Sequence, residues 1–163
     1  MSHALHHYGL RIVWDGDAGG GTRRYDGYRR DYRILADGKP ELAGSADPAF
    51  LGDASRHNPE ELLLAAASAC HMLSYLSLCA REGVCVLAYA DAAMTTLDTR
   101  GGTGIGAIEL NPQVVVSADS DAALAQELHR RAHQNCFIAN ACRVPVRHSA
   151  HVALAGATHG ADA

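Results

Sequence analysis

Residues 58–73 constrain this chain more than any other stretch. Asn58-Pro59-Glu60-Glu61 is a helix start: an Asn cap, Pro at the first helical position, and two carboxylates facing the positive end of the helix dipole. The helix is predicted over about residues 59–81, with Gly83 just past its end. Its body, Leu62-Leu63-Leu64-Ala65-Ala66-Ala67-Ser68-Ala69-Cys70-His71-Met72-Leu73, has almost no polar face. A helix that is apolar all round is buried all round. The other elements must therefore wrap around it, and its many Ala and Ser let them approach closely.

The rest of the chain reads as that wrapping. Residues 8–14 alternate as a strand, and residues 15–21 form a Gly-rich turn. Residues 23–35 read as a second and a third strand with a turn at Asp26-Gly27. Residues 37–55 carry Gly, Pro, Asp and Ser clusters and are expected to form a long loop, a frequent place for function. Residues 84–98 and 105–118 read as two long strands joined by a Gly-rich turn at 100–104. Asp119, Ser120 and Asp121 open a second helix over residues 122–134, with Leu124, Leu128 and Ala132 at helical spacing. Residues 135–140 form a turn or short helix, 144–154 a closing strand, and 156–163 a frayed tail. Strands that do not alternate one by one with helices argue for an α+β fold, with mostly antiparallel sheets around a buried central helix.

Composition bounds the chain further. Its 163 residues suit one domain, with a core over about residues 6–154. The hydrophobic share is 48%, but 30 residues are Ala and only 6% are aromatic, a thin filling for a domain of this size. A second chain is expected to complete the core. A net charge of −4 gives no basic field for nucleic acid. No uninterrupted apolar run reaches the ~18 residues of a membrane span. The first residues lack the basic start and apolar stretch of a signal peptide, so a cytoplasmic location with reduced thiols is expected. The five cysteines include no C-x2-C pair, and no metal site is expected.

Two cysteines stand out. Cys70 lies mid-helix, where it is either a small buried hydrophobe or a nucleophile. His71 follows it, but adjacent helical residues point about 100° apart, so the two need not form an ion pair. Cys136 lies just past a helix whose last turns carry His129, Arg130, Arg131 and His133. These groups either complement the negative helix end or lower the pKa of a nearby thiol. Cys79, Cys85 and Cys142 read as packing residues. Glu60 is either a dipole-favoured residue of the first turn or the partner of an arginine. Arg56, Arg23, Arg24, Arg29 and Arg30 are the nearby choices, or else they form a solvated face. His3, His6 and His7 make a poor metal site on a chain end.

The segment from Asn58 to His71 resembles the central-helix motif of the OsmC and organic hydroperoxide resistance family. Cys136-Phe137-Ile138-Ala139-Asn140 resembles its second cysteine motif, at the matching separation from Cys70. Trp14-Asp15-Gly16-Asp17 resembles its first-strand ending, and the element order fits from about residue 6 to 154. The Ser68-Ala69-Cys70-His71 version is most similar to the OsmC-like peroxiredoxin branch.

The resemblance implies an intertwined homodimer with a site at each interface. Cys70 would be the peroxidatic thiol and Cys136 the resolving thiol. Glu60 would hold a catalytic arginine, Leu63, Ala66, Ala67 and Leu73 would form an apolar wall for an organic hydroperoxide, and His71 and Phe137 would join them in binding it. The reductant would be an external dithiol of lipoyl or thioredoxin type, with no cofactor. The family arginine in the loop before the helix is replaced here by Phe50 or Leu51, which leaves Arg56, Arg23 or Arg24 as substitutes. Two alternatives stand beside this reading: a redox-sensing or small-molecule-binding module of the same fold, and a Cys-His hydrolase using Cys70 with His71 or His133.

Overall fold

A computed structural model describes residues 5–100 and 104–156. His3, residues 101–103 of the expected Gly-rich turn, and tail residues 157–163 lie outside the described residues. The chain divides into two units, residues 1–62 and 63–163, and the boundary falls inside the long helix.

In the first unit, β1 (Arg11–Trp14), β2 (Tyr32–Leu35) and β3 (Leu42–Gly44) pair antiparallel in that order. Residues 23–31 are not a strand as expected. Asp17 Oδ1 accepts from the amides of Gly19 and Gly21, at 2.8 and 2.9 Å. Arg30 donates to the carbonyls of Tyr25 and Tyr28 and stacks over both rings. Side chains thus take over the hydrogen bonding that a ladder would supply. Conversely, β3 arises inside the expected loop, because Gly44 sits opposite Tyr32. A Cβ on Gly44 would lie 2.2 Å from the Tyr32 ring, so only Gly admits the ring there.

The long helix α1 (Pro59–Glu82) starts as expected. Asn58 Oδ1 accepts from the Glu61 amide at 2.8 Å, and Glu61 Oε2 accepts from the Asn58 amide at 3.2 Å, a reciprocal capping box. The helix ends at Gly83, whose φ of 76° is open to Gly at no steric cost.

The second unit continues with β4 (Val86–Asp91), β5 (Leu97–Asp98), β6 (Gly104–Ile105), β7 (Ile108–Leu110), β8 (Pro112–Val116), α2 (Ala122–Asn135), α3 (Phe137–Ala141), β9 (Val146–His148) and β10 (His151–Leu154). One sheet runs β10-β8-β4, with β4 antiparallel and β10 parallel to β8. β7 pairs parallel with β9, and β5 pairs antiparallel with β6. The expected long strands are therefore broken into pieces that change partners. At one break the Asn111 amide donates to Asp91 Oδ1 at 2.7 Å, and its side chain donates to the Ala92 carbonyl at 3.0 Å.

Tyr75 and Cys79 of α1 pack with Val84, Val114, Val116, Ala125, Leu128 and Ala132, which joins α1 to β8 and α2. Ala67 packs with Ile108 and Leu110. The expectation that α1 is buried all round does not hold within one chain. Its buried residues are Ala67, His71, Tyr75 and Cys79, one stripe at i, i+4 spacing, while Leu73 is 62% exposed. An 18-residue window of α1 has a mean hydropathy of 1.7, long and apolar enough to cross a membrane by composition alone, although no uninterrupted apolar run suggested it.

Candidate active site

Cys70 and Cys136 come together in the second unit. Cys70 is half-buried on α1, Cys136 is fully buried between α2 and α3, and both are free thiols. Burial pushes the Cys136 thiol up to about 11, and the adjoining Cys70 side chain adds to that push. The Ala139 amide donates to Cys136 Sγ at 3.4 Å and opposes it. Cys136 therefore keeps its proton at neutral pH. The cationic surroundings considered as one reading of Cys136 are not what the fold builds: Arg130 pairs with Glu127, and Arg131 pairs with Glu82 at 2.8 Å.

A group of histidines meets between α1, α2 and β9. His71 Nε2 and His129 Nδ1 share a 3.0 Å hydrogen bond, one ring donating and the other accepting. His148 lies 5.2 Å and His133 6.5 Å from His71, ring centre to ring centre. Tyr75 stacks on His129 at 3.8 Å. His71 and His129 are fully buried. Burial pushes His71 down to about 4 and His129 down to about 3, and the neighbouring imidazoles push the same way. Both rings are thus neutral at pH 7, and His129 supplies no cation. His148 is likewise lowered, by burial first and by His133 second. Sequence reasoning missed His148 altogether. The signal for the rest was the i, i+4 spacing of His129 and His133, which sets both on one face of α2.

The remaining expected site residues fall as follows. Leu63 packs beside Ala67 against Ile108 and Leu110, whereas Leu73 and Phe137 are exposed. Ser68 Oγ donates to Asp91 Oδ2 at 2.5 Å, a contact on α1 that the sequence did not suggest. In the first unit, Arg56 lies 3.4 Å from Asp53 and 3.9 Å from the buried Asp31. Among the described residues Glu60 makes no ion pair, and Arg23 is exposed. Arg24 pairs with Asp26, Arg29 with Asp31, and Arg30 lies over the two tyrosines. No group of three His, Cys, Asp or Glu among the described residues is placed to hold a metal ion. A separate cleft of about 580 Å³, lined by residues 7–11, 35–37 and Lys39, contains no cysteine.

The model of the OsmC-like protein family matches residues 52–149, which include both cysteines. The chain is 28% identical to the uncharacterized protein YmaD of Bacillus subtilis, over 94% of this chain and 99% of that one. An OsmC-like protein of unknown function from Vibrio cholerae is similar in structure, with a TM-score of 0.81 and 31% identity over 90% of this chain and all of that one. The organic hydroperoxide resistance protein OhrB of Bacillus subtilis shares the fold at a TM-score of 0.60 and 20% identity, over 92% of this chain and all of that one.

Proposed function

Because the chain belongs to the OsmC-like protein family, we propose that it is a cysteine-based peroxidase that reduces organic hydroperoxides through Cys70 and Cys136. The observation that carries this reading is the adjoining pair itself, one thiol half-buried and the other buried. The Cys70 thiolate attacks the distal peroxide oxygen. The O–O bond breaks, the alkoxide leaves and takes a proton from water to become the alcohol, and Cys70 becomes a sulfenic acid. The Cys136 thiol condenses with it, forming the S–S bond and releasing water. An external dithiol, of lipoyl or thioredoxin type, then exchanges with that disulfide and is itself oxidised. A resolving thiol that holds its proton until the sulfenic acid forms is not itself spent on peroxide.

A thiol attacks as its thiolate, and a neighbouring cation favours that form. Arg56 or Arg23, in partnership with Glu60, is the proposed source. The chain is proposed to act in the cytoplasm as a homodimer without a cofactor. The open apolar face of α1, with Leu73, and the exposed Ile12 and Trp14 on the edge strand β1 support a second copy as the occupant.

One observation favours a second reading. Arg56 is engaged by two aspartates while Glu60 makes no ion pair among the described residues, an arrangement suited to a slow, redox-sensing module. Peroxide consumption separates the two. Wild type with a dithiol should consume cumene hydroperoxide, and Cys70→Ser should abolish turnover. A wild type as inert as Cys70→Ser would overturn the peroxidase. A Cys-His hydrolase instead requires acylation of Cys70 by an activated ester, with no need for Cys136.

A further inference from the structure

We propose that the buried His71–His129 pair is a positioning clamp, holding α1 and α2 in the register that keeps Cys70 beside Cys136. His71 directly follows Cys70 on α1, and His129 stands about two turns before Cys136 on α2. Their 3.0 Å hydrogen bond therefore joins the two elements that carry the cysteines. Apart from the Arg131–Glu82 pair at the far end of α1, it is the polar link between these helices among the described residues. Apolar contacts such as those of Leu128 and Ala132 are non-directional and permit sliding, whereas an N–H···N bond fixes distance and angle.

The surroundings keep the clamp neutral. The groups facing it are Tyr75 from α1, Tyr89 and Asp91 from β4, His133 from α2 and His148 from β9. Of these only Asp91 favours a proton on His71, and it already accepts from Ser68 and from the Asn111 amide. A first proton on the pair places a charge in a buried setting, and a second removes the only lone pair that can accept the bond. The clamp thus works in neutral solution and opens in acid.

The test reads the closeness of the thiols without peroxide, so the clamp and the peroxidase can fail separately. Phenylarsine oxide joins two neighbouring thiols, forming two As–S bonds and releasing one water. Capture by two protonated thiols exchanges no net proton, so it does not weaken of itself as the pH falls, and a loss in acid reports on the imidazoles. Cys136→Ser should lose capture at least tenfold, and unchanged capture would overturn the pairing on which the clamp acts. His129→Leu, which keeps apolar bulk and removes the bond, should weaken capture at least tenfold at pH 7.5. His129→Asn places an amide at the reach of Nδ1 that can donate or accept and does not titrate. It should capture within threefold of wild type at pH 7.5 and hold that affinity to lower pH. Should His129→Leu fail to fold, His71→Gln, whose amide lies at the reach of Nε2, provides the second pH profile. Wild-type capture in His129→Leu, or an acid loss in His129→Asn that tracks wild type, would overturn the clamp.

Discussion

At the scale of single residues, the balance between burial and charge governs this protein. An unfolded histidine takes up its proton near pH 6.5, whereas folded His71 and His129 do so only near 4 and 3. As the pH falls below 6.5 the unfolded state gains protons first, so stability present at neutral pH drains away down to about pH 4. The loss should be a few kcal/mol for the pair together, read by urea unfolding at pH 7 and pH 4.5. His129→Leu should remove its share of that pH dependence. The motifs made Cys70 and Cys136 legible because thiol chemistry needs a pair. The histidines were not legible as a group: His71, His129 and His148 are far apart in the chain, and only packing makes them neighbours.

At the scale of elements, local chemistry was read well where it is local. The start of α1 was predicted from Asn58, Pro59 and Glu61, and the capping box stands there. Asn58→Ala should cost about 1 kcal/mol in thermal or urea unfolding. α2, with its Asp121 cap on the amides of Ala123 and Leu124, was equally legible. Strands fared worse. β3 was hidden in an expected loop because its signal is the fit of the Tyr32 ring over Gly44, a cross-strand contact. Gly44→Ala should push that ring away and cost more than 2 kcal/mol, at the level of other overpacked sites, as measured by urea unfolding. The parallel pairings of β8 with β10 and of β7 with β9 were invisible for the same reason, since strand direction is chosen by partners rather than by composition.

At the scale of the whole molecule, the question is what covers α1. The helix is apolar nearly all round, yet only its Ala67, His71, Tyr75, Cys79 stripe is buried within one chain. Leaving Leu73 in water forfeits up to about 2 kcal/mol of burial, and a second copy would recover it. Light scattering should report twice the 17.2 kDa chain mass, and Leu73→Glu should shift the species towards one chain. A wild-type monomer at micromolar concentration would count against this assembly. The sequence by itself determined the long helix, its caps and the second helix, because capping and periodicity act over a few residues, and its motifs singled out the two cysteines. Tertiary structure alone decided that Cys136 is buried beside Cys70, that four histidines gather between α1, α2 and β9, and that β3, β9 and β10 pair as they do. Those outcomes depend on which distant surfaces exclude water together, and no stretch of chain carries that information alone.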